Sequence, residues 1–217
     1  MIIMTDISCL LAGLAQLSTP VILLILWRKT NARILPAFAA FAVCIPVFMI
    51  AGFIRMGFSH DNPWIYYWQQ GLLYGIFEEG AKFLMFRFLL ESYDNRKDAV
   101  TYGIGHASYE SLGAGLSCLG LIGAENVHPA IFWINLWGAI EGAAFAIGAT
   151  VLIFYGIQMG KSKKILPVVI LLHTILNASK GIFIESFAIV FCTLLTVAVC
   201  YVAYRCYQNL WDELEIE

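Results

Sequence analysis

Read for its hydrophobic and polar positions, the chain is a series of long apolar runs separated by short polar breaks. Seven runs can be drawn, at roughly 7–27, 34–54, 64–91, 99–123, 130–157, 165–184 and 186–204. Each is near the ~20 residues that an α-helix needs to cross a bilayer. The third and fifth are long, which predicts tilt or protrusion. The break from Lys180 to Ser186 is the least distinct. The pattern predicts an all-α polytopic transmembrane bundle of about seven spans, with residues 1–217 forming a single integral-membrane domain.

Composition sharpens this. Of the 217 residues 60% are hydrophobic and 13% charged, with a mean hydropathy of +0.78, against about 25% charged in soluble domains. A net charge of −2 argues against a nucleic-acid partner. The six cysteines, Cys9, Cys44, Cys118, Cys192, Cys200 and Cys206, lie in or beside apolar runs without a CxxC pair. They read as small apolar fillers, not a disulfide framework. The first run lacks a basic leader and an A-x-A cleavage site, so it reads as a retained span.

Basic residues orient the bundle. Arg28, Lys29, Arg33, Arg87, Arg96, Lys97, Lys161, Lys163, Lys164 and Arg205 fall on one side when the spans alternate, ten of the 13 Lys and Arg residues. Only Arg55 and Lys180 flank the other side, and Lys82 lies within a run. The excess of positive charge predicts N-terminus out and C-terminus in, with the acidic stretch from Trp211 to Glu217 as a short cytoplasmic end.

This topology leaves several polar residues inside the membrane. The third run carries Gly75-Ile-Phe-Glu-Glu-Gly-Ala-Lys82, and helical spacing lets Lys82 neutralise either Glu78 or Glu79. A charge at that depth costs about 3 kcal/mol even on lenient insertion scales. His106 and Glu110 in the fourth run, and His173 and Asn177 in the sixth, are likewise four apart; Glu141 lies in the fifth. At 1.5 Å per residue all three groups fall in one layer ~10–20 Å from the basic side. Each feature also has a plainer meaning. The Glu–Lys cluster can be a structural ion pair, a histidine a packing residue, Asn177 interhelical glue, and Glu141 either packing or support for a site. The glycine pairs Gly71/Gly75, Gly138/Gly142 and Gly156/Gly160 read as close helix packing, and Trp64, Tyr66, Tyr67 and Trp68 as an interfacial belt. Three pairs at one depth are harder to assign to packing than any one of them.

The chemistry of the layer points to water. Burial disfavours a charged carboxylate and a nearby ammonium favours it, a balance that suits a general base. The two imidazoles can then hold a metal with one Glu and leave a position for water. Alternatively His106 shares the water while His173 and Asn177 donate to a developing oxyanion. The H-E-x-x-H zinc signature, a G-x-S-G serine motif, a G-x-G-D aspartate motif, a P-loop and a dinucleotide fingerprint are all absent. If the layer is catalytic, the chemistry it suits is hydrolysis of a peptide bond inside the membrane.

Phe77-Glu-Glu-Gly-Ala-Lys-Phe83, Gly103-Ile-Gly-His-Ala-Ser-Tyr-Glu110 and His173-Thr-Ile-Leu-Asn177 together resemble the YhfC-type intramembrane metalloproteases, a group similar to the PrsW-like and CPBP (CAAX prenyl endopeptidase) families. The resemblance implies Glu78 as water-activating glutamate with Glu79 as its neighbour, His106 as a ligand of water or metal, and His173 with Asn177 as the third-motif pair. Lys82, Glu110 and Glu141 are supporting residues. The implied cofactor is a divalent metal, zinc by preference, on His106, His173 and Glu78; a metal-free glutamate mechanism is the alternative. The expected partners are membrane lipids and a membrane-embedded protein or peptide substrate cut near the cytoplasmic side, in a bacterial plasma membrane. The competing reading is a non-catalytic membrane protein that uses the same layer to bind a small molecule, to carry protons or as a scaffold. Geometry separates the two: catalysis requires Glu78 or Glu79, His106 and His173 to converge on one water-accessible cavity.

Overall fold

The computed structural model describes residues 2–124, 127–128 and 130–214, and the last three residues of the acidic end expected from Trp211 to Glu217 lie outside them. The described residues form seven α-helices: α1 (Ile2–Arg28), α2 (Leu35–Arg55), α3 (Pro63–Leu84), α4 (Arg96–Gly120), α5 (Ile131–Gln158), α6 (Ser162–Ile182) and α7 (Glu185–Leu214). No strand occurs among the described residues. The seven expected runs are the seven helices. The indistinct break resolves into a two-residue turn, and α7 extends beyond the expected end.

Local chemistry sets the helix ends that matter for the site. Asn62 caps α3, its side chain accepting from the amides of Trp64 (3.0 Å) and Ile65 (3.3 Å), with Pro63 in the first turn; the proline lacks an N–H that would go unpaired there. At its far end α3 widens into a π-helical turn, Met85–Leu89, closed by Leu90 N–H on the Met85 carbonyl at 2.7 Å. Asn95 and Asp98 form a capping box at the start of α4. Asp98 is clamped by Arg33, whose Nε donates to it at 3.0 Å, and this bond raises the guanidinium pKa further. Gly160, at φ +64°, ends α5. There Lys161 N–H reaches the Gly156 carbonyl (2.7 Å) and Gly160 N–H the Ile157 carbonyl (3.1 Å), a Schellman pattern that needs a residue tolerant of positive φ. The Gly156/Gly160 pair therefore divides its roles: Gly156 packs closely on Ile165, and Gly160 is a helix stop.

Five helices, α1, α2, α5, α6 and α7, are long and apolar enough to cross a membrane. The other two, α3 and α4, carry Glu78, Glu79, Lys82, Asp98, His106 and Glu110. All of these but Glu110 are buried by neighbours, since α4 packs against α1, α2 and α5, and α3 against α6 and α2. The helices alternate in direction, which gathers the ten basic residues at one end. That end is laced by Lys97 Nζ to the Thr30 carbonyl (2.6 Å), Trp27 Nε1 to the Lys97 carbonyl (3.3 Å) and Arg96 Nη1 to the Tyr207 carbonyl (3.1 Å). An apolar core that includes Phe86, Tyr102, Phe145 and Phe154 adjoins the polar layer through Phe145.

Candidate active site

Close backbone approach positions the site. On α3, Gly71 and Gly75 face α6: a Cβ on Gly71 would lie 2.6 Å from the Thr174 carbonyl oxygen, and one on Gly75 2.9 Å from that of Ile170. Only glycines let the two helices come this near, and Glu79, one turn further along the same stripe, is thereby brought to His173. On α4, Gly105 lies against the Ala37 backbone of α2, which sets His106 beside Cys44. Between α3 and α4 themselves there is no backbone approach among the described residues. The gap is bridged by side chains.

Glu78 Oε2 lies 2.9 Å from His106 Nε2, which is also 3.4 Å from Glu110 Oε1. His106 Nδ1 contacts Cys44 Sγ at 3.2 Å. Glu79 Oε1 accepts from Lys82 Nζ at 2.7 Å and pairs with His173 Nδ1 at 2.6 Å. His173 Nε2 then faces Glu78 Oε2 at 3.8 Å, and its ring edge meets Phe145. All of these groups are buried except Glu110, whose side chain is 34% exposed. Glu78, Glu79, His106 and His173 meet in one cluster, which Glu110 joins, but the histidines line one adjoining space and Glu78 the other, with Glu110 common to both. Lys82 resolves its choice in favour of Glu79.

Two spaces adjoin the cluster. A cavity of about 440 Å³ is lined by Phe48, Tyr67, Gln70, Tyr74, Glu78, Glu110, Asn177, Lys180 and Gly181. Behind it lies a chamber of about 40 Å³ bounded by residues that include Lys82, His106, Glu110, His173, Asn177 and Lys180, enough for a water, which needs about 15 Å³ of such volume. Tyr67, Gln70, Tyr74 and Glu78 follow one another at helical spacing along α3, so the larger cavity runs from the helix start down to the carboxylate. It therefore reaches the site from the end opposite the basic one, whereas the sequence pattern places the reaction near the basic side. Depth from the helix ends says which layer holds the site; it cannot say from which end the packing leaves a path.

Other readings change in the same way. Tyr67 is not a belt residue, because its ring packs on Gly181 and lines the cavity; Trp64 and Trp68 remain exposed. Cys44 is no mere filler, since its sulfur touches a site histidine. Asn177 lines both spaces. Glu141 stands one step outside, 3.3 Å from Lys180 Nζ, and accepts from Thr193 Oγ1 at 3.3 Å. Gly142 meets no more than the edge of Glu110, and Gly138 the edge of Gln16, so this pair is not a packing seam.

The donor set suits a divalent metal. One ligand atom each from Glu78, His106 and Glu110 lie within 4.8 Å of one another. His173 adds a fourth group: with Nδ1 bonded to the Glu79 carboxylate, its Nε2 is left to offer a lone pair, the orientation a carboxylate–histidine pair imposes on a metal ligand. Compared with the expected set of His106, His173 and Glu78, the geometry brings in Glu110.

Fold and cluster define an integral membrane helical protein with a buried cluster of carboxylates and imidazoles, whose two histidines and Glu110 border a water-sized chamber. Residues 45–127 match the family described as YhfC intramembrane metalloprotease. The match takes in the end of α2, all of α3 and α4, and so the first two motifs; the third lies beyond it. No curated protein matches the chain.

Proposed function

We propose that the chain is an intramembrane peptide hydrolase whose water is activated by Glu78. The observation that carries this reading is the meeting of Glu78 and Glu110 on one nitrogen, His106 Nε2, at 2.9 and 3.4 Å. One imidazole N–H cannot satisfy two carboxylates, so the third partner these atoms call for is a proton-bearing water or a cation. Glu78 takes the water proton, His106 holds that carboxylate in place, and Cys44, able to donate or accept, partners His106 Nδ1 in either tautomer. Glu79 is committed to Lys82 and His173 through one oxygen, and its other oxygen has no hydrogen-bond partner among the described residues. This makes it a positioning residue. Where a divalent metal is bound, Glu78, His106, Glu110 and His173 are the residues that would hold it, and it would acidify the water and polarise the carbonyl.

The polar wall of the cavity suits a short extended peptide or the unwound end of a membrane segment more than a prenyl chain. Glu78→Gln keeps shape and removes proton acceptance. In protein reconstituted in nanodiscs and presented with a fluorogenic peptide library, it should lower turnover about 100-fold or more while the unfolding midpoint holds. Unchanged turnover in a folded Glu78→Gln variant removes Glu78 from the chemistry and leaves the layer to binding or proton transfer.

A further inference from the structure

Lys180 is one of only two basic residues that the charge pattern places away from the basic end, and the fold gives it an unusual position. It lines both the 440 Å³ cavity and the chamber behind it, so it stands where substrate and water meet. Asn177, one turn earlier on α6, lines both as well. The ammonium is held from behind: Glu141 Oε1 of α5 lies 3.3 Å away, Thr193 of α7 donates to the other oxygen of Glu141 at 3.3 Å, and Trp137 Nε1 donates to Thr193 at 3.0 Å. Three residues on two helices thus fix one lysine. Its side chain is still 47% exposed, and of the three N–H donors of an ammonium the Glu141 contact uses one.

The site needs such a donor. His173 Nδ1 is bonded to the Glu79 carboxylate at 2.6 Å, so in the neutral ring Nε2 carries no hydrogen and cannot donate to a forming oxyanion. Lys82 also borders the chamber, but it is fully buried and bound to Glu79 at 2.7 Å. Lys180 is the cation left facing the open space among the residues that line it.

We infer that Lys180, with the Asn177 amide beside it, stabilises the negative charge that forms on the scissile carbonyl oxygen, and that Glu141 is the residue that positions it. This rests on the hydrolytic reading above. In the step itself the water oxygen bonds to the carbonyl carbon as its proton passes to Glu78, and the π electrons of the C=O bond move onto the oxygen, where the ammonium meets them. The C=O bond then re-forms, the C–N bond breaks, and the departing nitrogen takes the proton from Glu78. The products are a carboxylic acid and an amine, with the water consumed. A preset charge donor acts on the transition state more than on the bound peptide.

The test uses a peptide that the full-length protein cleaves in nanodiscs, together with its phosphinic analogue, in which a –PO₂–CH₂– unit replaces the scissile amide. Lys180→Met alone strands a buried carboxylate, so it is made together with Glu141→Gln, and Lys180→Arg serves as the conservative variant. The double variant should lose about 100-fold in kcat with KM little changed. It should bind the phosphinic analogue more weakly by a similar factor, while Lys180→Arg retains most of both. A folded double variant with wild-type kcat and wild-type affinity for the analogue overturns the role of Lys180, while the loss in Glu78→Gln keeps the hydrolytic reading standing. A wild-type protein that cleaves no peptide in the library overturns both.

Discussion

Glu79 shows how a charge is kept in an apolar bundle. Its one engaged oxygen is shared by an ammonium at 2.7 Å and an imidazole at 2.6 Å, and all three groups are buried. A buried pair adds little stability over an apolar replacement, but removing one partner leaves an uncompensated charge that costs about 3–5 kcal/mol. Lys82→Met should therefore lower the thermal unfolding midpoint sharply, and Lys82→Met with Glu79→Gln should recover most of that loss. Equal destabilisation by the single and double variants would mean that the pair is not what holds α3 in place. At Glu78 the demand is different, because its partner His106 is shared with the half-exposed Glu110. That sharing separates two adjacent glutamates into one that supports and one that is available to react.

At the scale of the helix, α3 does two jobs with two faces. Gly71, Gly75 and Glu79 face α6, while Tyr67, Gln70, Tyr74 and Glu78 line the cavity. Gly75→Ala puts a methyl 2.9 Å from both the Ile170 carbonyl oxygen and Thr174 Oγ1, so the helices must separate and the Glu79–His173 bond must lengthen. We expect a loss of about 1–3 kcal/mol, the usual range for overpacking, read as a lower unfolding midpoint together with reduced turnover. Gly80 on the same helix has nothing within 4 Å of its Cβ position. Gly80→Ala should leave the midpoint unchanged or raise it, since alanine is the better helix former by about 1 kcal/mol. If the two substitutions behave alike, close packing of α3 on α6 is not what builds the site.

For the whole molecule, the alternation of seven helices puts ten basic residues at one end and the open cavity towards the other. By the positive-inside rule, reporter fusions at Lys97 and Lys163 should read cytoplasmic and one at Ser59 outside. Substrate would then reach Glu78 from the outer side, although the carboxylate lies deeper than the midpoint of α3. An outside signal at Lys97 or Lys163 reverses that direction of access.

Hydropathy and charge alone determine the helical class, the number of helices and the gathering of basic residues at one end. Each of these depends on one residue's preference for lipid or water, or on a helix rise that is the same everywhere. The same arithmetic places Glu78, Glu79, His106 and His173 in one layer, because depth is a property of distance along a helix. Rotation about the helix axes and the spacing between helices are not, and there the tertiary structure decides. It selects Glu79 over Glu78 as the partner of Lys82 and brings Glu110 to His106. It turns Cys44 and Tyr67 inward through glycine contacts with α4 and α6. It also sets Glu141 beneath Lys180, a lysine that a linear count leaves at the wrong end of the molecule. Spacing cannot show these pairings, because each is fixed by contacts between residues distant in the chain whose approach is set by the packing of whole helices.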